Sequence, residues 1–211
     1  MGCIHRRIPT VRVQRYRSAP PQPHDPSTPP LRTGANLSVR FAALTCSVVA
    51  ANPSPDLVLT PLTAKGYPLS AWLVQYQLLL AVVDPFTNES AWILKTAARI
   101  LETFDQADCR VGFVVAGAGP DEAREFLGPY AVRLLTFPDP DRRIVDAFAF
   151  ERLPALVHID NGGQVVNSVE DWDGDAWQVV TDALAKDMRW TGPVLPAAGD
   201  PSAFRGSPAR G

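Results

Sequence analysis

Apolar runs of strand length alternate with segments of helical period over much of the chain. Gln77–Val83 and Cys109–Ala116 are nearly continuous apolar runs, which are typical of strands buried on both faces of a sheet. Between them, residues 89–104 place apolar side chains at helical spacing and charged side chains away from that stripe, which predicts an amphipathic helix. A strand, a helix and a second strand in this order indicate a parallel pair joined by a crossover helix.

Shorter segments continue this alternation. The patterns predict strands over residues 56–60 and 132–137, helical segments over 68–73, 121–127 and 142–148, and a last helix over 175–188. Residues 155–159 and 164–169 flank the turn sequence Asp-Asn-Gly-Gly, which is the clearest hairpin signal in the chain. Crossovers followed by a terminal hairpin predict an α/β fold with a mixed central sheet flanked by helices.

The N-terminal part of the chain differs in composition from the rest. Residues 1–40 carry seven arginines and a single acidic residue, Asp25, whereas the rest of the chain is acidic overall. Because this part lacks apolar periodicity and contains many prolines, we expect a disordered extension. The predicted organisation is a disordered Arg/Pro-rich extension (1–51), an α/β domain (52–190) and a Pro/Gly-rich C-terminal tail (191–211). We expect the tail to lie irregularly on the surface or to be frayed.

Two other interpretations of the extension stay open. An upstream non-coding stretch of a GC-rich genome would translate into an arginine- and proline-rich sequence of this kind. A mis-called start is therefore one alternative. Residues 41–51 form a weakly apolar stretch after basic residues, which is the pattern of a weak signal sequence. Because that stretch is interrupted by polar residues and preceded by an overlong basic region, we expect a cytoplasmic location, with export as the alternative.

Charge and the scarcity of cysteine and histidine argue against several classes of function. The three cysteines, Cys3, Cys46 and Cys109, contain no CxxC pair and are too few for a disulfide framework or a structural zinc set. The three histidines stand apart in the sequence, so we expect no metal and no cofactor. A formal net charge of −2 argues against general nucleic-acid binding, and the apolar runs are too short for a membrane-spanning helix.

Two segments resemble a known superfamily. The sequence from Leu153 to Val166, Leu-Pro-Ala-Leu-Val-His-Ile-Asp followed by Asn-Gly-Gly-Gln-Val-Val, resembles the cis-proline strand and following hairpin of thioredoxin-like proteins. Upstream, residues 78–83, an Asp-Pro-Phe turn at 84–86 and the helix from about Glu89 resemble the strand, loop and helix that carry the active site of these proteins. The resemblance covers roughly residues 56–188. It implies a thioredoxin-like fold and a cis peptide bond between Leu153 and Pro154.

The chain departs from this superfamily at the active positions. The two cysteines of the CxxC motif would fall on Thr87 and Ser90, and the peroxide-reducing cysteine of peroxiredoxins would fall on Ser90. Thiol–disulfide exchange requires a thiolate that attacks a disulfide and a second thiol that resolves the product, and a hydroxyl does neither. We expect Thr87 or Asn88 to cap the following helix and the charge of Glu89 to suit its dipole.

Two hypotheses of function follow from the resemblance. The first is a redox-inert thioredoxin-like domain that acts as a protein-binding or scaffold module for an unknown protein or peptide partner. Its peptide-binding face would be formed by Pro85, Phe86, Thr87, Ser90, Leu153 and Pro154. The alternative is a thiol-disulfide oxidoreductase or a peroxiredoxin-like antioxidant enzyme that uses Cys109 or the thiols of a partner. Thiol reactivity therefore separates the two hypotheses.

Overall fold

The computed structural model of the chain describes residues 50–210. It contains six helices in these residues: α1 (Leu69–Trp72), α2 (Asn88–Phe104), α3 (Pro120–Leu127), α4 (Tyr130–Arg133), α5 (Arg143–Phe148) and α6 (Gly174–Met188). The strands in the same residues are β1 (Val58–Leu59), β2 (Tyr67–Pro68), β3 (Gln77–Val83), β4 (Cys109–Ala116), β5 (Leu135–Asp139), β6 (Arg152–Leu153), β7 (Ala155–Ile159), β8 (Val165–Glu170) and β9 (Ser207–Pro208).

Five of the strands form a mixed central sheet in the order β5-β4-β3-β7-β8. The strands β3, β4 and β5 are parallel, whereas β7 is antiparallel to β3 and β8 is antiparallel to β7. Crossover helices join the parallel strands, and the 160–163 turn joins the antiparallel pair β7 and β8. The predicted fold class, a mixed sheet flanked by helices, is confirmed.

Helices cover both faces of this sheet. Alternate residues of a strand point to opposite faces, so Leu79 and Ala81 pack in a buried cluster with α2, α3 and α6. Leu78 and Leu80 pack in a second buried cluster with α1 and α5. Burial on both sides explains why β3 consists almost entirely of apolar residues.

One predicted strand differs from the observed one. The strand predicted over 132–137 begins at Leu135, because Tyr130–Arg133 form the short helix α4 instead. Apolar residues in such a short segment do not distinguish a helical turn from a strand. Residues 1–49 of the predicted extension lie outside the described residues. Ala50, the first described residue, is buried and donates its N–H to Ser168 Oγ at 2.6 Å.

The C-terminal tail is irregular over most of its described part, which is the first of the two expected arrangements, and it is packed against the domain. The Leu195 N–H donates to Gln178 Oε1 at 2.6 Å, and Asp200 forms a 2.7 Å ion pair with Arg99 of α2. Further on, β9 pairs with β6, and Ala209 is fully buried. Long-range pairing of this kind leaves no periodic signal in the tail sequence, so pattern analysis missed it. Within the described residues, no helix is long and apolar enough to cross a bilayer.

A buried histidine lies in the middle of the sheet. His158 of β7 places Nε2 2.5 Å from Gln77 Oε1, and Gln77 Nε2 donates to Asp187 Oδ2 at 2.5 Å. The other ring nitrogen, Nδ1, is buried and has no hydrogen-bond partner. Burial lowers the pKa of His158, although the charges of Asp187 and Asp160 oppose that effect. The neutral ring is therefore the form that the folded chain favours.

This environment predicts a pH-dependent loss of stability. An unfolded histidine binds a proton near pH 6.5, whereas the folded one binds it only at lower pH, so His158 makes folding less favourable as the pH falls below about 6.5. We expect the free energy of unfolding, measured in urea, to fall more steeply between pH 7.5 and 5 in the parent than in His158→Gln. Equal slopes would show that His158 is not buried in its neutral form.

Candidate functional site

The loop between β3 and α2 is closed by hydrogen bonds among its own residues. Ser90 is fully buried, and its Oγ accepts from the Asp84 N–H at 2.9 Å. The Thr87 hydroxyl donates to Asp84 O at 3.0 Å, and Asp84 Oδ1 accepts from the Phe86 N–H at 2.9 Å. The hydroxyls at the two positions where the resemblance would place cysteines are thus used to hold the loop.

The expected capping role of Thr87 and Asn88 is wrong. Thr87 occupies the N-cap position of α2 with an extended backbone, but no side chain accepts a capping hydrogen bond at this helix start. The Thr87 hydroxyl is turned instead toward the Asp84 carbonyl group. Glu89 does carry a lowered pKa, because its own backbone N–H, then the Ser207 hydroxyl and then the charge of Arg152 favour its carboxylate form.

Sequence patterns did not identify the buried ion pair beneath this loop. Asp84 Oδ2 lies 2.6 Å from the guanidinium of Arg142, and only 4% of the Asp84 side chain is exposed. Arg142 has a left-handed backbone (φ 55°) just before α5 and also donates to Ala209 O at 2.8 Å. A buried carboxylate requires such pairing. An acidic residue directly after a buried strand was the only signal in the sequence.

The second half of the predicted face lies beside the loop. The register pairs Val82 of β3 with Ala155 of β7, and its continuation brings Pro154 opposite Val83 at the strand end. The Leu153–Pro154 peptide bond, for which the resemblance predicts the cis form, is cis. The structure therefore brings the loop and β6 together at one end of the sheet.

The six predicted face residues differ in exposure. Phe86 is 67% exposed. Pro85 and Thr87 are half-buried, whereas Ser90, Leu153 and Pro154 are buried. Part of that burial comes from the chain itself, because Leu153 pairs with Ser207 and Arg152 with Pro208 in antiparallel register.

Cys109 lies far from this site. It begins β4, opposite Gln77 at the start of β3, whereas the loop follows Val83 at the other end. The two ends are about 20 Å apart along a strand that rises about 3.3 Å per residue. Burial raises the pKa of the Cys109 thiol to about 12, against a smaller effect of a backbone hydrogen bond from Leu79.

Comparison with solved structures shows which fold this is. The chain is similar to a hypothetical protein from Sinorhizobium meliloti (13% identity, 78% of this chain and 95% of the other, TM-score 0.57). It is also similar to a putative protein disulfide isomerase from Bacteroides thetaiotaomicron (17% identity, 67% and 92% covered, TM-score 0.55). A third similar structure is a putative thioredoxin from Neisseria meningitidis (16% identity, 64% and 89% covered, TM-score 0.53).

Comparisons of the sequence itself give no match. No protein-family model matches the chain, and no curated protein matches it at a significant level. At these low identities, the solved structures establish the fold alone. The chain has the thioredoxin-like fold, as the resemblance predicts.

The buried hydroxyl of Ser90 yields a stability prediction. In Ser90→Ala the buried Asp84 N–H loses its acceptor, which costs about 1–3 kcal/mol. We expect the free energy of unfolding to fall by that amount in urea titrations. The exposed Ser70 provides the matched control, since Ser70→Ala should change stability by less than about 0.5 kcal/mol. Equal effects of the two substitutions would contradict a structural role for Ser90.

Proposed function

We propose that this thioredoxin-like domain is redox-inert and acts as a protein-binding or scaffold module. The observation that carries the proposal is the use of the Thr87 and Ser90 hydroxyls as internal hydrogen-bonding groups of the loop. In thiol oxidoreductases these two positions hold the reacting sulfurs. In this chain Thr87 and Ser90 carry hydroxyls, which do not exchange disulfides, and both hydroxyls hold the loop.

The chemistry of the helix start supports this proposal. The partial positive charge at a helix N-terminus stabilises a thiolate, but the pKa of a hydroxyl is far too high for that field to ionise it. The Glu89 carboxylate also places a negative charge beside the position where a thiolate would form. Neither of the two steps of disulfide exchange can begin at these residues.

The alternative hypothesis is a thiol enzyme that uses Cys109. The surroundings of Cys109 do not support it. A thiol with a pKa of about 12 is almost entirely protonated at neutral pH, and the thiolate is the reactive form. Cys109 is also the only cysteine in the described residues, so no second thiol stands beside it there. A small buried residue of a strand is the role that this environment favours.

Exposed aromatic side chains beside the loop support a binding role. Phe86 is 67% exposed and Trp92, on the first turns of α2, is 58% exposed. Trp92 contacts Phe204 edge to face, with ring centroids 5.6 Å apart. Aromatic residues are enriched among those that contribute most to binding energy at protein interfaces, and these lie at the face that the resemblance implies. The partner we propose is a protein or peptide segment.

Redox inertness is tested by the reduction of insulin with dithiothreitol as the electron source. We expect the parent and Cys109→Ser to give no rate above dithiothreitol alone. The double variant Thr87→Cys/Ser90→Cys should form a disulfide and reduce insulin, because it restores two thiols at a helix start. Activity of the parent that disappears in Cys109→Ser would overturn the proposal.

The location of the binding face is tested on an array of extended peptides probed with the full chain. We expect Phe86→Glu to weaken binding at least tenfold, because it places a charge where an apolar contact is needed. Val132→Glu is the matched control, since Val132 is 88% exposed on α4, outside the proposed face. Equal binding by both variants would contradict this location.

A further inference from the structure

The described end of the tail lies on the proposed binding face in the manner of a bound peptide. We call residues 201–210 the strap. Trp172 and Phe204 exchange two backbone hydrogen bonds of 2.9 and 3.0 Å, and Ala209 N–H donates to Glu151 O at 2.8 Å. Between these points β9 pairs with β6 next to Pro154. Backbone pairing along an extended edge is how a sheet recognises a peptide strand.

Two positions of the strap admit only small residues. A Cβ atom on Gly206 would lie 2.3 Å from Leu153 O and 2.8 Å from Leu153 C, which are backbone atoms that do not move aside. The Gly206 N–H in turn donates to Asp171 Oδ1 at 2.7 Å. Three residues later, Ala209 is fully buried in the apolar cluster of α5 and β7, where a larger side chain would have to displace neighbouring core residues.

Polar groups of the domain contact the remaining strap residues. The Ser207 hydroxyl bonds to the Glu89 carboxylate, and Arg142, the partner of Asp84, donates to Ala209 O at 2.8 Å. Arg210 forms a 2.7 Å ion pair with Asp146 of α5. Read in order, the contacts require glycine at 206 and favour a hydroxyl residue at 207, a small residue at 209 and a basic residue at 210.

We propose that the strap is an internal ligand of this face, and that the face binds a partner segment of the same pattern after the strap is displaced. The proposal rests on the binding function proposed above. The ligand it names is an extended peptide that carries Gly-Ser-Pro-Ala-Arg or a close equivalent, supplied by another protein. The carboxylates of Glu89 and Asp146 disfavour acidic residues at the peptide positions that match Ser207 and Arg210.

The strap has the properties of a segment that can be exchanged. Only Gly206 and Ala209 of residues 201–210 are buried, and Phe204 also packs against the core, so release of the strap uncovers the apolar surface beneath Phe204 and Ala209. Segments with few buried apolar contacts open without global unfolding. Asp200 stays anchored on α2 through Arg99 and Thr96, which keeps a released strap close to its site.

Tethering sets the size of the expected effect. A tethered ligand competes at an effective concentration on the order of millimolar, and the apparent affinity of a free peptide falls with the fraction of open sites. A peptide with an intrinsic dissociation constant of about 10 µM would then bind the parent about 100-fold more weakly than a variant with the strap displaced.

The test uses the full chain and a fluorescein-labelled peptide of residues 202–211. Gly206→Val should displace the strap, because its side chain collides with Leu153. We expect this variant to bind the peptide at least tenfold more tightly than the parent in fluorescence anisotropy. Ala203→Val, at an exposed strap position, should bind as weakly as the parent. A peptide with valine at the position of Gly206 should fail to bind the opened variant, Gly206→Val.

Hydrogen exchange of the parent gives a second measurement that needs no variant. We expect the amides of Phe204 and Ala209 to exchange at least tenfold faster than those of Leu156 and Val157 in β7, because the strap opens without the core. Equal protection would show that the strap is a permanent part of the fold and would overturn the proposal.

The outcomes separate this proposal from the one on which it rests. Equal peptide binding by the parent and Gly206→Val would overturn the internal-ligand proposal. If the opened variant binds other array peptides but not the strap peptide, the sequence pattern is wrong and the binding function stands. If the folded, opened variant binds no peptide at all, both proposals fail.

Discussion

The buried ion pair between Asp84 and Arg142 joins the parts of the molecule on which the site depends. Asp84 directly follows the central strand β3 and supplies groups for the loop that contains Thr87 and Ser90. Arg142 directly precedes α5, and its guanidinium also donates a hydrogen bond to the carbonyl oxygen of Ala209 in the strap. Because an unpaired buried charge is strongly destabilising, loss of either partner would affect the loop, α5 and the strap together.

Much of the fold was predictable because its central elements carry local signals. The bounds of β3 and β4 follow from two apolar runs, and α2 begins within one residue of its predicted start. The hairpin β7–β8 follows from its turn sequence. These signals are local because burial on both faces, helical spacing and turn chemistry each act over a few neighbouring residues.

The site was predictable only in part, because its remaining contacts join distant residues. Asp84 and Arg142 belong to different βα units, and Leu153 meets Ser207 across β8 and α6. A proline- and glycine-rich tail reads as irregular, and its backbone is irregular over most of its length. The sequence pattern does not predict that a glycine, which has no side chain, fits closely against another backbone, as Gly206 does against Leu153.

The proposed lack of thiol chemistry and the proposed role of the strap are physically consistent. An oxidoreductase must admit and release many substrates at its reacting sulfur, so a segment held across its active face would slow every turnover. A domain that only binds has no such requirement, and an edge such as β6 otherwise exposes unpaired backbone groups that promote aggregation. The strap pairs with that edge, and under the two proposals competition for the edge, rather than redox state, decides when a partner binds.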